Sequence, residues 1–550
     1  MPPTFHIENF GCRAARADGE AIAALLRAAD AAEIQPSEAD VVIVNTCSVT
    51  AEADREARAY IRRAHRLNPS ARIIATGCYA QRAPEELAAI PGVVAVIGNS
   101  HKAHVPEIAL QFATASAHDK QPGQSKTFRA DSSRRVGTGF SPYGQPSFGN
   151  AALAPENAPQ VVTISALLNH PLILADDSFA HSFLEEASIT PGAQTRPNLK
   201  IQEGCSNRCS FCVIPQTRGS SRSLPGAAVL SHVHNFVAAG GNELVLSGIN
   251  LGRWGRDLGT HNDLLPSKAT GFSPYNNDAV IRGASAPEGG VLRSFAALVR
   301  CILEQTSLPR LRLSSIEPMD WTPDLISLMA EYGGTRLARH AHLPLQSGSD
   351  SVLRRMHRRY RPWHYTEKVS ALFDVLGPAL TLGADVMVGF PGESDREFQE
   401  TYDFIRSLPF GYLHLFPFSP RPGTRAWTLH AESPVPASAV NERMAALRTL
   451  AIEMTRTHRM RFLGAELDAI TLNTPSHLVS AERTNALTEN FFPVELSAAL
   501  PANQLIRVRV TAIAADNTLL ALPALSISST ADSRLSAPRI PDQPVLETAF

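Results

Sequence analysis

Short, almost unbroken apolar runs alternate with amphipathic stretches over the first hundred residues. FHIENF, ADVVIVN, ARIIAT and VVAVIG have the pattern of buried strands. GEAIAALLRAADAA and AEADREARAYIRRAHRL, between them, have the pattern of helices. Strands joined by helical crossovers predict an open parallel α/β sheet over residues 1–112. The periodicity is lost over 113–195, which is rich in Ser, Gly, Pro and Gln and is expected to be a flexible linker or insertion.

Alternation returns over 196–435. NLKIQEG, NELVLSG, RLRLSSI, ALTLGADVMVG and YLHLFPF predict parallel strands, separated by helical stretches such as FAALVRCILEQ and PWHYTEKVSALFDVLG. Repeated βα units of this length predict a complete or partial (β/α) barrel with its site at the carboxyl ends of the strands. A second patternless stretch interrupts it at about 261–290. The hexamer TGFSPY occurs in both interruptions, at 138–143 and 270–275; a shared history of two insertions accounts for this better than a binding motif. Residues 436–465 predict a helical connector. ELDAITLN, NFFPVELS and LIRVRVTAI predict a small all-β barrel over 466–525. The tail 526–550 is expected to be disordered. The fold class is therefore α/β with a C-terminal β module.

The chain has 550 residues and a formal net charge of −1. That balance neither points to nor excludes a nucleic-acid partner, because a basic face can hide in a neutral total. No basic, then apolar leader is read at the start, and no run approaches the roughly 18 apolar residues of a membrane span. A cytoplasmic protein without a membrane partner is expected. Seven cysteines are too sparse for a disulfide scaffold. Cys301, in an apolar helical stretch, reads as a small buried hydrophobe. The other six fall into two groups of three.

Cys205, Cys209 and Cys212 form C-x3-C-x2-C directly after a predicted first barrel strand. Three thiolates this close converge on one metal centre only if the loop wraps around it. Tetrahedral zinc would want a fourth ligand. A cubane [4Fe–4S] cluster on three cysteines leaves one iron open. Cys12, Cys47 and Cys78 each follow a predicted strand. In an open α/β sheet the crevice beyond the carboxyl ends gathers such residues together, and a second cluster is consistent with them.

The compact triplet, with Phe211 before its third cysteine, resembles the radical S-adenosylmethionine (SAM) superfamily. The resemblance implies that the open iron binds SAM, and that an electron from the cluster splits SAM into methionine and a 5′-deoxyadenosyl radical. It also implies cofactor contacts. GGNE, with Gly240, Gly241 and Glu243, lies where the family receives the methionine amino group, although a plain turn is the alternative. RLSSIEP, with Ser314 and Glu317, and VMVGFPGES, with Gly389, sit where the family contacts ribose and adenine. Gln346 and Ser347 stand at another strand end. The basic run Arg354, Arg355, Arg358 and Arg359 reads either as a solvated helix face or as an RNA phosphate contact.

Over residues 4–102 and 196–525 the arrangement resembles the methylthiotransferase family. NTCSVTAEADREAR, GINLGRWGRDL and RLSSIEP are most similar to its threonylcarbamoyladenosine tRNA branch, and less to the isopentenyladenosine tRNA and ribosomal-protein aspartate branches. The resemblance implies two [4Fe–4S] clusters, on Cys205, Cys209 and Cys212 and on Cys12, Cys47 and Cys78. It implies SAM, a tRNA substrate bound through its anticodon loop, an electron donor such as a flavodoxin or ferredoxin, and no DNA partner. The reaction implied is a methylthio group placed at C2 of the modified adenosine. The chain departs from the family at Ala15, usually Asn, and at Gln216, usually aromatic; this leaves the base less specified than the reaction. In the β module, Phe491, Phe492, Arg507 and Arg509 suit base stacking and phosphate contact, or equally a core and exposed strands. The rival readings are another radical SAM enzyme with an auxiliary cluster, and a non-catalytic RNA-binding protein with zinc-held cysteines.

Overall fold

The computed structural model describes residues 2–118, 171–179, 195–258 and 292–526. Both TGFSPY segments, the 261–290 stretch, most of 113–195 and the tail from 527 lie outside the described residues. The chain divides into two compact units, Met1–Ala187 with Val213–Ser220, and Ser188–Cys212 with Ser221–Phe550.

The first unit is a six-stranded sheet in the order β2-β1-β3-β4-β5-β6. Its strands are β1 (Thr4–Asn9), β2 (Ala32–Glu33), β3 (Val41–Thr46), β4 (Arg72–Gly77), β5 (Val93–Gly98) and β6 (Leu172–Leu174). Every pairing is parallel. β3 and β4 are buried at every position, as central strands covered on both faces must be. Helix Ala51–Leu67 shows how the sequence builds the cover. Thr50 caps it by accepting from the Ala53 amide, and Ala57, Tyr60, Ile61 and Ala64 form its buried stripe. Within 113–195, expected to be a flexible linker or insertion, three apolar residues add strand β6, and helix Val105–His118 runs past residue 113.

The second unit contains β7 (Asn198–Glu203), β8 (Arg222–Ser223), β9 (Glu243–Gly248), β10 (Arg310–Leu313), β11 (His340–His342), β12 (Thr381–Val388) and β13 (Phe410–Pro417). They form sheets β10-β9-β7-β8 and β11-β12-β13. Parallel bridges Leu311–Leu337 and Ser315–His342 join the two. Apart from the short antiparallel β8, the strands run parallel with helices between them. This is a partial (β/α) barrel.

Helix Ala437–Met460 leads to a closed barrel, β14-β15-β16-β18-β17. Its strands are β14 (Glu466–Thr471), β15 (Thr484–Thr488), β16 (Pro493–Leu496), β17 (Leu505–Ile513) and β18 (Leu519–Ser526). The expected class, α/β with a C-terminal β barrel, is the class observed. Phe492 is a core residue of that barrel, packed with Phe462, and does not face a base. Arg507 and Arg509 pair with Asp468 and Glu466 on the neighbouring strand.

Candidate functional site

In the first unit the three cysteines stand at the carboxyl ends of β1, β3 and β4. Cys12 is exposed at the start of helix Arg13–Ala28, while Cys47 and Cys78 are buried. Gly11 lies at φ +103°, and a Cβ there would fall 2.6 Å from the Cys47 sulfur. Only glycine lets the Cys12 loop approach Cys47 this closely. Gly77, at φ +96°, similarly leads into Cys78 with no room for a Cβ against Thr46. The three thiols influence one another: burial pushes Cys47 up to about 12, and Cys78 and Cys12 reinforce the shift. A buried thiol raised this far stays protonated unless a cation binds its sulfur.

The sulfurs have donors. Cys78 Sγ accepts from Asn99 Nδ2 at 3.4 Å and from Arg218 Nε at 3.2 Å. Cys47 Sγ accepts from the Val49 amide at 3.5 Å. Arg218 is fully buried and also pairs with Asp18 at 3.1 Å, and Lys102 Nζ meets the same carboxylate at 2.6 Å. Asn99 Nδ2 donates as well to the Thr217 carbonyl. Segment 213–220, which follows Cys212 in sequence, thus packs into the first unit and brings Arg218 to Cys78. Within it Gln216 is exposed, whereas Ala15 is buried with its carbonyl accepting from Asn45. Arg82 fixes the loop after Cys47, reaching Ser48 Oγ and Asp54.

In the second unit Cys205, Cys209 and Cys212 follow the carboxyl end of β7. Cys205 Sγ accepts from the Asn207 amide at 3.5 Å and lies 3.6 Å from Asn250 Nδ2. Burial raises the Cys205 thiol against these donors, and Cys209 adds to the rise. Cys209 Sγ accepts from Arg358 at 3.3 Å, and Arg358 places 2.6 Å hydrogen bonds on both oxygens of Glu317. Ser210 ties the loop to the Arg355 and Met356 carbonyls. The basic run 354–359 is therefore not a uniform solvated face. Arg354 pairs with Asp350, Arg355 with Glu397, and Arg358 is buried at the cysteine loop.

Other expected contacts gather at the same carboxyl ends. Phe211 meets Phe390, the neighbour of Gly389, edge to face at 6.5 Å. Gly389 gives its amide to Glu393 at 2.8 Å. Ser314 closes β10 with its amide on the Leu246 carbonyl. Gln346 adopts φ +64°, a region non-glycine residues seldom occupy and one that marks functional sites. Gln346 Oε1, Ser247 Oγ and Asn250 Oδ1 are buried and lack a hydrogen-bond partner among the described residues. Buried polar atoms left unmatched at one rim suit a polar cofactor such as SAM. Ser247, Asn99 and Arg218 stand in no local motif that ties them to a sulfur or to the rim, Asn250 is present in the sequence only within GINLGRWGRDL, and Arg358 only as one of a basic run.

The GGNE segment is a correction. Glu243 opens β9, at the amino end, whereas the cysteine loop follows the carboxyl end of the parallel β7. Gly240, at φ +83°, ends helix Gly226–Ala238, and Gly241 packs on Phe236. The Glu243 carboxylate is fully buried against Arg312 at 2.8 Å, Arg196 at 3.3 Å and Arg310 at 3.4 Å. Burial opposes its ionisation, but the three guanidiniums prevail and bring it to about 2. These three residues hold the floor of the barrel and do not line the SAM site.

The partial barrel with its cysteine loop after the first strand is that of a radical SAM protein, and residues 199–405 match the radical SAM superfamily. Residues 4–98 match the uncharacterized protein family UPF0004. Threonylcarbamoyladenosine tRNA methylthiotransferase MtaB of Bacillus subtilis (strain 168) is 31% identical over 471 residues, 85% of this chain and 84% of that protein. The tRNA-2-methylthio-N(6)-dimethylallyladenosine synthase of Sorangium cellulosum (strain So ce56) is 30% identical over 474 residues, covering 85% and 81%. Among solved structures, the radical SAM methyltransferase TsrM of Kitasatospora setae aligns over 78% of each chain at TM-score 0.45 and 13% identity. The chain belongs to the radical SAM tRNA methylthiotransferase family. It is a radical SAM methylthiotransferase, taking SAM and two [4Fe–4S] clusters.

Proposed function

We propose that this enzyme adds a methylthio group at C2 of N6-threonylcarbamoyladenosine beside the anticodon of tRNA. The observation that carries the reading is the pair of three-cysteine groups, each at strand carboxyl ends and each with nitrogen donors on its sulfurs. A single such group would suit any radical SAM reaction; the second is what sulfur insertion adds. Cys205, Cys209 and Cys212 hold the cluster that binds SAM, with Phe211, Ser314, Glu317, Gln346 and Gly389 around the cofactor. Cys12, Cys47 and Cys78 hold the cluster that carries sulfur. Bound SAM supplies a radical able to attack an aromatic C–H that has no acidic proton to offer a base. The protein's part is to hold the cofactor, orient the adenine and keep water away. A flavodoxin- or ferredoxin-type protein is the expected electron donor.

Mass spectrometry of tRNA nucleosides from cells with and without the gene tests the reading. Loss of 2-methylthio-N6-threonylcarbamoyladenosine supports it; loss of only the dimethylallyl counterpart moves the enzyme to the other tRNA branch. Anaerobically purified protein is expected to carry about eight irons, and zinc without iron would overturn the assignment.

A further inference from the structure

One group of polar side chains in the partial barrel belongs to neither cysteine loop. Asp385 of β12 and His414 of β13 face each other as direct partners in the sheet, and His342 of β11 completes a triad. The atoms able to hold a ligand lie within 4.8 Å of one another. Asp385 Oδ1 is 3.2 Å from His414 Nδ1, and Oδ2 is 3.2 Å from His342 Nε2. Tyr412 Oη lies 2.9 Å from His342 Nδ1 and 2.8 Å from His340 Nε2. The Tyr412 ring crosses Gly383, where any Cβ would stand 2.1 Å from it. Beneath, the His340 ring packs at a tilt on Phe491 at 4.4 Å, and Phe491 lies under Arg312 of the Glu243 floor.

The array thus runs from a closed floor to an open end. The His342 side chain is 7% exposed, Asp385 27% and His414 57%. Below His414 the groups bind one another, so His414 is the member presented outward. Burial pushes the Asp385 carboxyl up, but hydrogen bonds from both histidines outweigh it and hold Asp385 well below the usual carboxylate range. Each Asp385 oxygen therefore accepts from one imidazole. A nitrogen that carries that proton has no lone pair for a metal, which argues against a cation site. His414 is held through Nδ1, and its Nε2 is left for a ligand: acceptor for a hydroxyl or amide N–H, or, when protonated, donor to a carboxylate.

We propose that the His342–Asp385–His414 triad recognises the polar acyl substituent on N6 of the substrate adenine. The inference rests on the proposed tRNA reading and deepens it. A threonylcarbamoyl group offers an amide N–H, a hydroxyl and a carboxylate. A dimethylallyl group offers none, and would leave the triad facing hydrocarbon, an unfavourable match for polar groups. The triad is thereby a specificity device that separates two substrates sharing one reaction.

The test uses the reconstituted full-length enzyme and anticodon stem-loop RNAs whose target adenosine carries threonylcarbamoyl, dimethylallyl or no substituent. The wild type, His414→Leu, His414→Gln and Asp385→Asn are compared. Iron content and thermal midpoint establish that each variant has folded. His414→Leu is expected to lose roughly tenfold or more in kcat/KM on the threonylcarbamoyl RNA and to narrow its preference over the dimethylallyl RNA. His414→Gln, which keeps a hydrogen-bonding group, is expected to recover part of the loss. An unchanged preference in His414→Leu overturns the proposal while leaving the tRNA reading intact. A wild type that modifies only the dimethylallyl RNA overturns the reading itself.

Discussion

The two cysteine groups use one device and differ in how its arginine is held. In each, a buried arginine donates to one sulfur: Arg218 to Cys78 at 3.2 Å and Arg358 to Cys209 at 3.3 Å. In each, a carboxylate holds that arginine. Glu317 places both oxygens on Arg358, whereas Asp18 is shared between Arg218 and Lys102. One site thus has a matched ion pair beside its sulfurs and the other has two cations on one carboxylate. Charge and hydrogen bonds at the sulfurs set cluster potentials.

The largest effects separate the two loops outright. Cys209→Ala is expected to abolish SAM cleavage, read as 5′-deoxyadenosine formed. Cys47→Ala is expected to leave SAM cleavage and stop methylthio insertion, read by nucleoside mass spectrometry. Insertion retained in Cys47→Ala would remove the division of labour on which the comparison stands.

A third buried arginine cluster has no cysteine and serves as the control. Glu243, with Arg312, Arg196 and Arg310, is expected to matter to stability alone. Glu243→Gln leaves three guanidiniums without their carboxylate and is expected to cost about 3–5 kcal/mol, seen as a lower thermal midpoint with SAM affinity unchanged. Its folded value of about 2 lies below the ordinary 4.5. Its contribution is therefore complete above pH 4.5 and fades as the pH falls toward 2. In Glu243→Gln that share of the acid destabilisation is expected to disappear. A Glu243→Gln protein of normal stability that binds SAM weakly would return Glu243 to the cofactor.

The contrast between these clusters also marks what the sequence could carry. The compact triplet is legible because its spacing is local, and the scattered one because each cysteine ends an apolar run whose strand order places it. The GGNE segment misled because it stands one strand away from the cysteines in sequence, yet its glutamate opens that strand instead of closing it. Which end of a strand a residue occupies is a matter of a few positions, and strand limits are the least certain feature of an apolar run. Arg218 and the His342–Asp385–His414 triad were not legible at all: their partners lie 140, 43 and 29 positions away, and only the folded sheet joins them. Phe491 and Phe492 were ambiguous because adjacent aromatics in the turn between β15 and β16 point different ways, one to the floor and one to the barrel core.

The smallest expected effect sharpens the comparison most. Arg218→Gln removes a positive charge and a donor from Cys78, while Asp18 keeps Lys102. The potential of the cluster on Cys12, Cys47 and Cys78 is expected to fall on the order of tens of millivolts, with Arg218→Lys restoring part of the shift. Arg358→Gln removes the same charge from Cys209 but takes from Glu317 the guanidinium that holds both its oxygens. A carboxylate freed beside the sulfurs adds negative charge on top of the lost positive charge. The fall at the cluster on Cys205, Cys209 and Cys212 is therefore expected to be the larger of the two. Redox titration followed by electron paramagnetic resonance, with iron content as the control for assembly, reads both. Equal shifts would mean that the shared carboxylate and the matched one do the same work, and that the difference in balance has no electronic consequence.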